Sequence, residues 1–167
     1  MNAKIFFFAL TLALSACSAS RLTPEQKAQK EAEMAHNVHQ QLQERHFDIE
    51  VDYMLPLGHG ARRLSYGYDL AVRGDSIISY LPYFGRAYQL PYGGGKGLNF
   101  TAKINRYVLE KGKKGLMRVT IDTRNEEDVY TYSLEVYPSG KCAVHVQSQN
   151  KRPIDFSGTM KMEGGEP

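Results

Sequence analysis

The chain has 167 residues, 42% of them apolar, with 21 basic against 18 acidic side chains and a net charge of +3. That length suits one domain rather than two. Basic residues scattered in ones, twos and threes exclude the concentrated stripe of a nucleic-acid binder, and two cysteines exclude a disulfide framework.

At the N-terminus, Lys4 precedes an apolar run from Ile5 to Leu14 that is too short to span a bilayer as a helix. Leu14-Ser15-Ala16-Cys17 ends that run in the pattern of a lipobox, with two small residues at the cleavage site. Residues 1–16 are therefore predicted to be a lipoprotein signal peptide, Cys17 the acylated start of the mature protein, and 17–23 its lipidated tether. The partner this implies is a membrane, reached through acyl chains on Cys17. Removing the leader takes away Lys4 alone among the charges, so the mature chain stays close to neutral. With Cys17 acylated, Cys142 has no thiol to pair with. It shares a strand face with Val144 and Val146 and is predicted to be a buried, inert thiol.

Thr23-Pro24-Glu25-Gln26 is a helix start, with Thr23 as N-cap, Pro24 in the first turn and Gln26 reaching back. A helix is predicted over 24–46. Its apolar stripe is Ala28, Ala32, Ala35, Val38 and Leu42, too slight for a core of its own, so the helix should lie against a sheet. Glu33, His36 and His39 share a face. They have neither HExxH spacing nor cysteine companions, so a solvated face is expected and no metal or other cofactor is implied.

From residue 47 to 161 the pattern is alternation. Ile49, Val51, Tyr53 and Leu55 form one face; Tyr66, Tyr68, Leu70 and Val72 another; Arg73-Gly74-Asp75 turns into Ser76 to Leu81. Phe100, Ala102 and Ile104 follow, then Met117, Val119 and Ile121, then Tyr130, Tyr132, Leu134 and Val136. Pro138-Ser139-Gly140 turns the chain into Cys142, Val144 and Val146, and Ile154, Phe156 and Met160 close the series. About eight short strands joined by short turns must be mostly antiparallel. The expected fold is mainly β: an eight-strand antiparallel meander, barrel-like or strongly curved, lipocalin-like in outline, with one N-terminal α-helix. Residues 24–161 form a single domain and 162–167 a tail.

The densest chemistry is Tyr80-Leu81-Pro82-Tyr83-Phe84-Gly85-Arg86-Ala87-Tyr88, with Tyr92 beyond. Tyr80, Tyr83, Phe84, Arg86, Tyr88 and Tyr92 are the candidate binding residues, for a small amphipathic ligand or an envelope partner. The alternative is that these rings close one end of the barrel and Arg86 makes an internal ion pair. Gly93-Gly94-Gly95-Lys96-Gly97 lacks the Ser or Thr and the following helix of a phosphate loop.

No G-x-S-x-G elbow occurs, Ser139 belongs to a turn, and His145 alternates away from Cys142. Asp48, Glu50 and Asp52 read as a solvated strand face, and no glycine-centred calcium loop surrounds them or Glu126, Glu127 and Asp128. Catalysis is therefore not expected. The other noncatalytic reading is a structural or assembly protein that pairs with an envelope protein through a sheet edge.

Arg45-His46-Phe47, Tyr53-Met54-Leu55-Pro56, Gly74-Asp75-Ser76, the string from Tyr80 to Tyr88 and Phe156-Ser157-Gly158 together resemble the bacterial lipoprotein family known as domain of unknown function 4251. The resemblance covers roughly residues 27–161. It implies a Gram-negative cell envelope and a mostly β domain, and brings no activity or catalytic residue. In some such bacteria an acidic cluster after the lipidated Cys directs export to the surface. Ser18-Ala19-Ser20-Arg21 stands here instead, which implies an outer-membrane lipoprotein facing the periplasm.

Overall fold

The structure is a computed structural model that describes residues 23–65, 67–86, 88 and 97–162. The signal peptide, Cys17, Tyr66, Tyr92 and the glycine loop before Gly97 lie outside the described residues.

The chain groups into two units that divide after Lys30. The described part of the first is the helix cap and the opening turns of α1 (Pro24–Glu44). There Thr23 N–H donates to Gln26 Oε1 at 2.9 Å and Gln26 N–H to Thr23 Oγ1 at 3.3 Å, the reciprocal cap that the sequence implies. The second unit, from Glu31 on, holds the rest of the helix and all of the sheet. Of the expected apolar stripe, only Val38 and Leu42 are buried, joined by Gln41, while Ala28 and Ala32 are exposed. The helix ends two residues before the expected 46, because Arg45 takes a left-handed φ of 55° and His46 opens the first strand.

Nine strands follow: β1 (His46–Pro56), β2 (Arg62–Arg63), β3 (Asp69–Arg73), β4 (Ser76–Leu81), β5 (Leu98–Lys111), β6 (Met117–Arg124), β7 (Val129–Val136), β8 (Lys141–Ser148) and β9 (Ile154–Met160). β1 and β3 to β9 form an antiparallel meander, and β9 returns to pair with β1, from Ile49↔Met160 to Pro56↔Ile154. The eight-strand antiparallel meander is as expected, and this pairing decides what the alternation left open, closing the meander into a barrel rather than a curved sheet. β2 is a two-residue addition on the outer half of β1, with Tyr53 opposite Arg63.

Two long strands make the corners. β1 pairs β3 with its first half and β9 with its second, and β5 divides itself between β4 and β6 in the same way. Each carries a register shift, between Val51 and Tyr53 in β1 and between Ile104 and Arg106 in β5. An extra residue reverses which side chains face inward. Tyr53 and Leu55, expected inside, are therefore exposed, and Met54 and Pro56 are buried in their place. Gly158 lies against the β1 irregularity, opposite Val51. A Cβ there would overlap the Glu50 carbonyl and stand 3.0 Å from Val51 Cα, so only glycine lets the closing strand approach this closely.

Side chains fill the interior. Phe47, Ile49, Leu70, Ile77, Leu98, Ile121, Tyr130, Tyr132, Leu134, Ile154 and Phe156 are all fully buried, with Leu42 of α1. The polar atoms among them are partnered: Tyr132 OH donates to Ser79 Oγ at 3.1 Å, and Ser79 Oγ donates to the Leu98 carbonyl at 2.7 Å. Cys142 is buried, and desolvation, helped by the charge of Asp52, pushes its thiol up to about 12.

Candidate functional site

At one end of the barrel, β1 and β4 finish, β7 and β9 begin, and the segment between β8 and β9 lies there too. That end is organised by a carboxylate inside the protein. Asn125 Oδ1 accepts the N–H groups of Glu127 (2.9 Å) and Asp128 (2.8 Å), a tight turn that aims Asp128 inward. Asp128 Oδ1 accepts the N–H groups of Val129 (2.8 Å), Gln149 (3.2 Å) and Asn150 (3.3 Å). Its Oδ2 takes the Lys151 ammonium at 3.3 Å, and Lys151 also donates to Tyr130 OH at 3.1 Å. The side chains of Lys151 and Asp128 are only 4% and 0% exposed. Burial pulls the Lys151 ammonium down in pKa, but the Tyr130 hydroxyl and the Asp128 carboxylate outweigh it, so the group is raised and stays charged.

The pinned segment then binds the aromatic one. Tyr88 N–H donates to the Asn150 carbonyl at 2.7 Å, and Arg152 N–H donates to the Arg86 carbonyl at 3.1 Å, a short antiparallel pairing. The Tyr83 hydroxyl sits within donating distance of the carbonyls of Arg86 (3.0 Å) and Arg152 (3.2 Å). A Cβ on Gly85 would stand 2.6 Å from that hydroxyl, so glycine is what allows the segment to close over the ring. Burial raises Tyr83 above the usual tyrosine pKa despite nearby Lys151 and Arg152.

Between these segments and the β1–β2 turn lies a groove of roughly 500 Å³, lined by Leu57, His59, Tyr83, Phe84, Gly85, Arg86, Arg152 and Pro153. Phe84 is its aromatic wall. His59 meets the Phe84 ring edge-on at 5.4 Å between centroids, and the Arg62 guanidinium carbon lies 4.3 Å from the ring centre. Those two contacts fix the ring while leaving the residue 41% exposed.

The expected binding residues thus separate. Tyr83, Phe84 and Arg86 meet in the groove, with Tyr83 serving mainly as its strut. Tyr80 stacks on Tyr68 at 5.6 Å and lines a different depression, with Pro82 and Asn99. Tyr88 is exposed and engages through its backbone. Tyr92 is outside the described residues. Leu57, His59, Arg62 and Arg152 were not among the expected binding residues, since they come from segments distant in sequence. Gly58-His59-Gly60 followed by Arg62-Arg63 was the legible hint.

A second polar group lies on the barrel wall. Ser133, His145 and Asp155 occupy one row across β7, β8 and β9, and His145 Nδ1 is 2.5 Å from Asp155 Oδ1. Residue types and order are those of a nucleophile, base and orienting acid. Strand N–H groups point along the sheet to their neighbours, however, so the ladder backbone around this row does not offer outward donors to an oxyanion. Cross-strand polar pairing accounts for the row. Cys142, on the same strand as His145, faces the core. Among the described residues, no three His, Cys, Asp or Glu side chains are placed to share a metal ion, and no helix is long and apolar enough to cross a membrane.

These features define a closed, eight-stranded antiparallel meander barrel with a packed interior and an open aromatic and cationic groove at one end. The chain belongs to the DUF4251 family, a domain of unknown function, whose family model matches residues 27–160. It is similar to the crystal structure of a DUF4251 family protein from Bacteroides eggerthii DSM 20697, at 12% identity and a TM-score of 0.58, over 80% of this chain and 91% of that one. At that identity the likeness concerns the fold. No curated protein matches the chain.

Proposed function

We propose that the protein is a noncatalytic cell-envelope lipoprotein, tethered by acyl chains on Cys17, that binds a small amphipathic ligand in the groove around Phe84. The observation that supports this reading is a packed interior beside an open groove with an aromatic wall. Tyr130, Tyr132, Phe156 and their neighbours are buried inside the barrel, which speaks for a ligand held outside that core. Binding belongs at the end of the barrel instead. The edge-pairing alternative has less to draw on at the ends of the meander, because β9 pairs with β1 from Ile49↔Met160 to Pro56↔Ile154.

Native mass spectrometry of protein taken from its own membranes tests the reading. An adduct present on the wild type and lost from the Phe84→Ala/Arg86→Ala double variant is the expected result. A clean unliganded mass for the wild type would count against it. For the tether, Cys17→Ala is expected to move the protein from the membrane to the soluble fraction of the envelope, and retention in membranes would refute the anchor.

A further inference from the structure

Resting on that groove reading, we infer that its ligand is an anion that carries a phosphate or carboxylate beside a flat ring. The lining contains Arg86, Arg152 and His59 and no acidic side chain. On the barrel wall and at its end, several cations sit against a carboxylate: Arg73 against Asp48, Arg106 against Asp122, Arg118 against Glu135 and Lys151 against Asp128. Arg62, Arg86 and Arg152 have no such carboxylate partner among the described residues, although 18 acidic residues nearly balance the charge of the whole chain. Two guanidinium groups lining one groove that holds no acid, with Arg62 beside its aromatic wall, favour an anion, and their fork geometry suits a phosphate or carboxylate.

The ring requirement comes from Phe84. Arg62 and His59 hold its plane, and the residue remains 41% exposed. A flat ring, aryl or sugar, covers that apolar surface while its anionic group reaches the arginines. The groove volume of roughly 500 Å³ suits a single ring with its charged substituent.

Amide-resolved NMR titration of the full chain tests this with four probes: phenyl phosphate, glucose 1-phosphate, inorganic phosphate and phenol. At least one ring-bearing phosphate is expected to shift the amides of Phe84, Gly85 and Arg152. Its affinity should exceed those of inorganic phosphate and phenol by about tenfold or more, and which ring wins identifies an aryl or a sugar ligand. Arg86→Gln and Arg152→Gln should each weaken that probe about tenfold, Phe84→Ala should reduce it to the level of inorganic phosphate, and Arg118→Gln on the barrel wall should change nothing. Rising salt should weaken binding. Phenol binding as well as phenyl phosphate, arginine variants with unchanged affinity, or silent groove amides with all four probes would each overturn the inference. A neutral adduct at the groove in the native mass spectrum would overturn it while leaving the groove reading intact. A clean wild-type mass together with silent amides would remove both.

Discussion

Single residues hold this barrel together at places where no larger side chain or uncharged partner would serve. Gly158→Ala forces a Cβ into the Glu50 carbonyl and against Val51 Cα, both of them backbone that cannot swing aside. The expected loss is about 3 kcal/mol, from overpacking at a rigid contact, measurable as a lower urea midpoint with an unchanged slope. Asp128→Ala removes the acceptor for three N–H groups and strands the Lys151 ammonium. Breaking a buried pair this way should cost about 3–5 kcal/mol. Adding Lys151→Met to that variant should recover part of the loss, which a double-mutant comparison of urea midpoints would read.

At the scale of elements, α1 engages the barrel through its last turns, and its stability contribution should be confined there. Leu42→Ala is expected to cost about 3 kcal/mol, as for a large-to-small change in a core, whereas Ala32→Ser on the exposed part should stay within about 0.5 kcal/mol. The helix end is held from the sheet: Tyr107 of β5 donates its hydroxyl to the Leu42 carbonyl at 2.7 Å, and the Arg45 guanidinium carbon lies 4.6 Å from the ring centre. That bond satisfies one of the orphan carbonyls of a helix terminus, so Tyr107→Phe should lower stability by about 1 kcal/mol. Thermal melts of the three variants together would distinguish a helix docked by its end from one docked along its length. The corner strands carry the other lesson. Alternation in β7 reads through from Tyr130 to Val136 because its register never slips. Alternation in β1 fails after Val51 because an irregularity in pairing has no composition of its own.

For the molecule as a whole, alkaline pH is the condition that should weaken it. Cys142 is raised from 9.0 to about 12, Tyr83, Tyr107 and Tyr132 are raised above 10.0, and Lys151 is raised above 10.5. The first four owe this foremost to burial; for Lys151 burial acts the other way and its Tyr130 and Asp128 partners prevail. In every case the native protein keeps a proton that the unfolded chain has released, so stability falls as pH rises. The five contributions are complete below pH 9 and are lost above it, the thiol's between 9.0 and about 12 and the others from 10.0 upward. The melting temperature should therefore decline from about pH 9, more steeply beyond pH 10. Cys142→Ala should delay the start of that decline, and a flat profile to pH 11 would contradict the assignment.

Local sequence was enough to determine the cap at Thr23, the strand series from Phe47 to Met160, the buried Cys142 and the antiparallel meander, because side-chain period and turn chemistry are properties of neighbouring residues. It also marked Tyr83, Phe84 and Arg86 as a dense patch. Closure of β9 onto β1, the phase reversal that exposes Tyr53, and the burial of a charged Lys151 belong to the tertiary structure alone. So does the groove, which takes Leu57 and His59 from one turn, Phe84 from a second and Arg152 from a third. Each depends on backbone pairing or charge compensation between residues tens of positions apart, and no single stretch of chain records which distant partner will satisfy it.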